Sequence, residues 1–260
     1  MEAELQAVLL DVDGTLADTE EVHRLAFNAA FAEAGLDWVW DRALYHDLLA
    51  VTGGKERIRY YLSRERPDYT LPTDADAFIA DLHRRKTVHY IEALAGGRVP
   101  LRPGVERLLR DIRGAGLRLA IVTTTTPDNI TALLEHSFSE AAHDWFEVIA
   151  AGGVVPSKKP APDIYDYALA KLGLPPQACI AIEDSLNGLR SARAAGVVTL
   201  VTVNPYTAHQ DFTGAALVLD HLGEPDQPCT VLAGEPAPDG LVDAGFLRRL
   251  HARAVRQPGA

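Results

Sequence analysis

The sequence predicts an α/β fold, a doubly wound parallel sheet with an inserted helical cap domain. Three features predict it. Short apolar runs recur along most of the chain, amphipathic stretches separate them, and roughly eighty residues between the first two runs read almost wholly as helix.

The first run, Ala7 to Leu10, is too short for a helix and too apolar for a surface loop, so it reads as a buried strand. The inserted segment follows from about Asp18 to Ala95, with helical patterns over Val22 to Ala34 and Asp74 to Leu94. Gly96, Gly97 and Pro100 punctuate the return, which places the hinges near residues 17 and 97. A helix over Val105 to Arg113 leads into a second strand, Leu117 to Thr123. The alternation then repeats, with strands at Phe146 to Ala150, Cys179 to Ile182 and Val197 to Val203. The helices between them are Ile130 to Glu135, Ile164 to Leu172 and Leu189 to Ala195. Right-handed crossovers put such helices on both faces of the sheet. The expected division is a core of residues 1–17 and 97–223, a cap of residues 18–96 and a tail of residues 224–260. That tail contains one short helix, Val242 to Val255, and is assigned no chemistry.

Composition narrows the class. The 260 residues are 47% hydrophobic and 23% charged, as in an ordinary soluble globular protein. A formal net charge of -11 argues against binding to nucleic acid or anionic membranes, and leaves any anionic substrate dependent on local cations or a metal. Only two cysteines occur, and Cys179 lies in a strand, so no disulfide framework is expected and a reducing cytoplasm fits. The opening segment carries no basic export signal, and its apolar stretch is too short to span a bilayer. A cytoplasmic monomer is expected.

The chemistry begins at Asp11-Val12-Asp13-Gly14-Thr15, where the first strand ends and the chain turns. Open α/β sheets build ligand sites at such strand ends. Two carboxylates two residues apart in extended chain can take different roles, because side chains and intervening carbonyls approach a cation from separate directions. Successive strand ends add further groups. Thr123 is followed by the polar run Thr124, Thr125, Thr126 and by Asn129, suited to holding phosphate oxygens before a helix. Lys159, ahead of a proline-started helix, offers a point charge, and Glu183 with Asp184 offers hard oxygen ligands of the kind Mg2+ takes. In the inserted segment, Asp18, Glu20, Glu21 and His23 lie just past the first hinge. The run Thr52, Gly53, Gly54, Lys55, Glu56 and Arg57 joins glycines to cations, so that backbone amides and side chains could together cradle a second anion. Ile79, His83, Lys86 and Tyr90 share one helix face, so two potential cations interrupt an otherwise apolar stripe.

DVDGT, the strand-ending Thr123, the Lys159-Pro160 loop and Glu183-Asp184 together resemble the four signature motifs of the haloacid dehalogenase superfamily, over residues 11–184. The resemblance implies a Rossmann-like core and a Mg2+-dependent phosphatase working through an aspartyl-phosphate. On that likeness Asp11 is the nucleophile, and Asp13 protonates the leaving sugar oxygen and later activates water. Thr123 and Lys159 hold the transferring group. Mg2+ is bound by Asp11, the Asp13 carbonyl and Asp184, with Glu183 either ligating it or orienting a bound water.

More closely, DVDGTLADTEEVHRLAFNAAF, TGGKERI, HRRKT, TTTTPDN, KKPAPDIY and EDSLNGLRSA are similar to the CbbY-type subgroup, over most of residues 5–222. Its photosynthetic members imply a xylulose-1,5-bisphosphate phosphatase, which removes an inhibitory misfire product of Rubisco and so serves the Calvin cycle. By carry-over, Asp18 contacts the sugar, Thr52 to Glu56 and His83 to Lys86 hold the distal end, and Thr123 to Asn129 hold the transferring phosphate. Asp18 stands where some members carry the longer Glu. The competing readings are a β-phosphoglucomutase-type sugar phosphomutase, which shares the motifs and His23, and a sugar monophosphate phosphatase of the same superfamily.

Overall fold

The computed structural model describes residues 4–97, 99–139, 142–235 and 237–256. Among these, seven strands form one sheet: β1 (Ala7–Leu10), β2 (Arg118–Val122), β3 (Val148–Ala150), β4 (Cys179–Glu183), β5 (Val198–Thr202), β6 (Leu217–Leu219) and β7 (Val231–Ala233). Their order is β3-β2-β1-β4-β5-β6-β7, parallel except for the β6–β7 pair. The α/β fold class read from the sequence is the one observed. The chain steps outward from β1 to β2 and β3, then returns to place β4 on the other side of β1. That reversal opens a crevice at the carboxyl ends of β1, β2 and β4.

Register decides which residues meet there. Leu10 lies opposite Ile121 on one side and Ile182 on the other, and the Asp11 amide continues the ladder to the Ile182 carbonyl at 3.0 Å. Asp11 therefore leaves the sheet level with the ends of β2 and β4. Period-2 alternation distributes the side chains between two packed faces. Val8, Leu10, Ile121 and Ile182 face one layer, which includes Leu108, Leu109 and Ile112 of α5 (Val105–Gly114). Leu9, Val122 and Ala181 face the other, which includes Ile164, Tyr165 and Ala168 of α7 (Asp163–Leu172).

The inserted segment folds into four helices, α1 (Glu20–Glu33), α2 (Arg42–Leu48), α3 (Gly54–Glu65) and α4 (Ala75–Gly96). Side-chain caps start two of them: Asp41 accepts from the Leu44 amide at 2.8 Å and Asp74 from the Ala77 amide at 2.9 Å. Their shared core is aromatic, with Phe27, Phe31, Trp38, Trp40, Tyr45 and Tyr61 all buried. The two linkers run side by side, since Ala17 bridges Leu101 and the Arg102 amide donates to the Leu16 carbonyl at 2.9 Å. Arg102 fastens this crossing to the sheet. Its guanidinium donates to the carbonyls of Gly14, Thr202, Val203 and Asp220, and its Nε lies 3.3 Å from Asp18.

The remaining helices are α6 (Pro127–His136), α8 (Leu186–Ala194) and α9 (Ala244–Arg256). The segment after residue 223 supplies β7 and α9, and Phe246, Leu247 and Leu250 join the core beside α5. β6 and β7 were not expected from the sequence. Each is three residues long, too short for a periodic signal. Cys179 and Cys229 are unpaired thiols. No helix among the described residues is long and apolar enough to cross a membrane.

Candidate active site

A cleft of about 370 Å³ separates the strand ends from the inserted helices. On its floor the buried Lys159 Nζ donates to Asp11 Oδ1 at 2.7 Å, Glu183 Oε1 at 2.6 Å and the Val122 carbonyl at 2.9 Å. The Tyr165 hydroxyl also donates to Glu183 Oε1, at 2.5 Å. Burial works against the Lys159 charge, but the two carboxylates outweigh it and hold its pKa above the usual range. Burial pushes Asp11 up to about 7, against the pull of Lys159.

Asp11, Glu183 and Asp184 each present an oxygen, all within 4.8 Å of one another. Their chemistry fits a hard divalent cation. The three acids outnumber the single lysine among them, Glu183 Oε2 is buried without a hydrogen-bond partner, and burial with the Asp11 and Glu183 charges raises the Asp184 pKa well above its usual value. Such a carboxyl regains its ionised form when a cation arrives. Gly14 makes room for the group. Its φ is +82°, and a Cβ there would fall 2.3 Å from Asp184 Oδ2.

Asp13 belongs to a second network. Its Oδ1 accepts from Thr19 Oγ1 at 2.6 Å and lies 2.8 Å from His23 Nε2, while Lys86 Nζ approaches His23 Nδ1 at 2.5 Å. With Lys86 donating to Nδ1, the Nε2 proton is directed at Asp13. Burial alone would raise the Asp13 pKa, but His23, Thr19 and Lys86 together hold it well below the usual carboxylate range. Burial also pulls Lys86 down to about 7 and His83 down to about 3, the latter aided by Lys86 and Lys55. His83 is thus a neutral lining group, although the sequence offered it as a cation.

The third wall starts at Thr123, whose Oγ1 accepts from the Thr125 amide at 3.3 Å. Thr124, Thr125 and Asn129 line the cleft at the start of α6, where Thr126 accepts from the Asn129 amide and Pro127 opens the helix. Asn129 Nδ2 donates to Thr125 Oγ1 at 2.9 Å, and its buried Oδ1 has no partner.

Of the residues expected to touch substrate, His23, Thr52, Gly53, Gly54, His83, Lys86, Thr124, Thr125 and Asn129 line this cleft together with Asp11, Asp13, Thr123, Lys159 and Asp184. Asp18, Lys55 and Glu56 do not. Asp18 faces Arg102 and a smaller depression beside Asn204. Lys55 and Glu56 rotate off the face that Gly54 and Arg57 share at helical spacing. Among the other lining residues, Arg190 and Tyr206 were not singled out, whereas Glu20 and Arg57 belong to the two inserted segments that were. Arg57 carried a legible signal, a cation one turn beyond the Gly53-Gly54 pair. Tyr206 carried none, because only tertiary folding brings its hydroxyl to Glu21, 3.0 Å away on α1.

A family model described as haloacid dehalogenase-like hydrolase matches residues 5–196. The chain belongs to the haloacid dehalogenase-like hydrolases. Within that family, Protein CbbY of Cereibacter sphaeroides is 48% identical over 220 residues, covering 85% of this chain and 94% of the relative. Protein CbbY of Rhodobacter capsulatus is 54% identical over 212 residues, covering 82% and 91%. A crystal structure of a mutant CbbY from Rhodobacter sphaeroides in complex with xylulose-1,5-bisphosphate matches with a TM-score of 0.78 at 47% identity, over 85% of this chain and 96% of that one. A β-phosphoglucomutase from Clostridium difficile, 19% identical, has a TM-score of 0.76 over 97% of this chain and all of its own, and shares the fold. The haloacid dehalogenase-like assignment and the CbbY likeness read from the motifs are the ones these comparisons find.

Proposed function

We propose that this hydrolase is a Mg2+-dependent sugar-bisphosphate phosphatase acting on xylulose-1,5-bisphosphate, with Asp11 carrying the phosphoryl group between its two half-reactions. The observation behind the reading is the meeting of Asp11, Lys159, Glu183 and Asp184 on the floor of a cleft roofed by cationic and neutral polar groups. The substrate choice is supported by the relative bound to that bisphosphate.

Phosphate monoesters need up to about 20 kcal/mol or more of barrier lowering, so several groups must act together. Mg2+ held by Asp11, Glu183 and Asp184 would supply positive charge against the phosphoryl oxygens. An Asp11 carboxylate oxygen bonds to phosphorus as the phosphorus–oxygen bond to the sugar breaks, and Asp13 gives its proton to the departing oxygen. Water then bonds to phosphorus, Asp13 takes its proton, and the Asp11–phosphorus bond breaks to release phosphate. In the free protein Asp13 is ionised. A phosphate dianion beside it raises its proton affinity, which lets the same group serve as acid first and base second. Thr123 and Lys159 hold the transferring oxygens.

The distal phosphate falls to the cap, where Arg57 lines the cleft with its Nη1 on the Tyr45 hydroxyl at 3.0 Å and its buried Nε without a partner. A guanidinium lining a cleft suits an anion. Arg57→Ala is expected to raise KM for a bisphosphate by about 10-fold or more and to leave KM for a monophosphate nearly unchanged. Equal losses for both would remove Arg57 from the distal end.

The reading is tested by incubating the protein and Mg2+ with xylulose-1,5-bisphosphate, ribulose-1,5-bisphosphate, β-glucose-1-phosphate and simple sugar phosphates, while following phosphate release and isomer formation. Selective release from xylulose-1,5-bisphosphate is expected. Release from other sugars alone would retire that substrate and keep the phosphatase, whereas isomer formation without net release would make the protein a mutase.

A further inference from the structure

The turn that follows β5 holds a buried amide aimed at the acids of the cation site. Asn204 is 6% exposed. Its Nδ2 donates to Asp184 Oδ2 at 2.7 Å, and its Oδ1 accepts from the Tyr206 amide at 2.9 Å. Its own backbone amide donates to Thr207 Oγ1 at 3.0 Å. Both ends of the side-chain amide are engaged, so a flip would exchange two good hydrogen bonds for two mismatched ones. Gly14 closes the same pocket from the other side, where a Cβ would fall 2.6 Å from Asn204 Nδ2 and 2.3 Å from Asp184 Oδ2. The carboxylate is thereby held by one oxygen, and the other is left for a ligand.

The donor's chemistry matters. Lys159 already offsets part of the charge of Asp11 and Glu183 on their side of the cluster. A second lysine or arginine on Asp184 would cancel the negative charge that draws a divalent cation. An amide donor orients the carboxylate without adding charge, which a cation site needs from its supporting residues.

We propose that Asn204 is a positioning residue that turns the Asp184 carboxylate toward the cation. This rests on the reading of Asp11, Glu183 and Asp184 as the cation site. Asn204 itself touches neither substrate nor cation and acts through Asp184 alone.

The test uses Mn2+ as the probe, another cation suited to carboxylate oxygens, with binding to the full chain followed by loss of the aqueous Mn2+ paramagnetic resonance signal in the absence of substrate. Asn204→Ser keeps a hydroxyl that can accept from the Tyr206 amide but is too short to reach Asp184, so the turn survives and the orienting bond does not. It is expected to raise the Kd for Mn2+ by about 10-fold or more, within the range for groups supporting a metal ligand. Asn204→Ala, measured in parallel, should show at least the same loss. Thr207→Val removes the acceptor of the Asn204 backbone amide but spares the side-chain amide, and should stay within about 2-fold of the parent chain, below the effect of losing a supporting residue. Thermal unfolding without metal checks that all three variants fold. Unchanged Mn2+ binding in Asn204→Ser, or an equal loss in Thr207→Val, overturns the role. A parent chain with no Mn2+ site at all would overturn the cation reading itself, a result distinguishable from failure of the Asn204 role alone.

Discussion

Asp11→Asn is expected to lower turnover by about four orders of magnitude or more, the scale at which removing a nucleophile leaves only binding and electrostatics behind. The substitution keeps the shape of the side chain and the bond that Lys159 makes to an oxygen there, so the fold should persist. Lys159 also keeps its contacts with Glu183 and the Val122 carbonyl. Substrate affinity should change far less than turnover, since the groups around the transferring phosphate and the cap remain. The decisive pair of measurements is single-turnover phosphate release and intact-mass detection of a phosphorylated chain. The parent chain should show a species heavier by one phosphoryl group after rapid quenching, and Asp11→Asn should show none. Turnover within about 100-fold of the parent would remove Asp11 from the nucleophile's place, because that loss is small beside those seen for catalytic nucleophiles.

Lys159→Met should have the largest effect on stability. The lysine is buried between two buried carboxylates, and a methionine of similar length leaves both without their shared cation. Breaking a buried pair by removing one partner costs about 3–5 kcal/mol, because the remaining charges stay buried and uncompensated. The loss would appear as a lower midpoint in urea unfolding, alongside a fall in turnover. Its sign with pH follows from Asp11, whose folded-state pKa burial already raises above its ordinary value and which loses the lowering pull of Lys159 in the variant. Carboxyls raised in this way are protonated in the folded chain at low pH and carry no buried charge there. As pH climbs past the unfolded-state pKa, the unfolded chain ionises freely and the folded chain does not, so stability drains away. The metal-free deficit should therefore be smaller at about pH 5 than at about pH 8. A deficit below about 1 kcal/mol at the higher pH would mean the lysine contributes little to holding the floor together.

Much of the active site was legible in the sequence because its residues follow directly from strand ends. Asp11, Thr123 and Asp184 each sit one or two positions past an apolar run, and placing β1 in parallel between β2 and β4 brings such ends together. The cap was legible as helix for the same reason of period, and its glycine pair marked the start of α3. What stayed hidden depends on contacts between distant segments. His23 and Lys86 are 63 positions apart, and nothing local shows that they join behind Asp13 instead of presenting two separate charges to substrate. Asp18 was expected at the sugar, yet Arg102 lies beside it from the opposite linker. Asn204 has an ordinary turn sequence around it, Asn-Pro-Tyr-Thr, and only the return of β5 beside β4 gives that turn a carboxylate to hold.

The paired linkers carry a mechanical consequence. A body joined to its neighbour by one strand can swing and twist in every direction, but two strands bridged at Ala17 and Leu101 resist relative twist and leave bending as the easy motion. Arg102 pins the base of that bend to the carboxyl ends of β5 and β6. A bend there would follow close to a single angular coordinate, like a door on two pins. The cleft-facing residues of the inserted helices can then be exchanged for another substrate while the linkers keep them over Asp11.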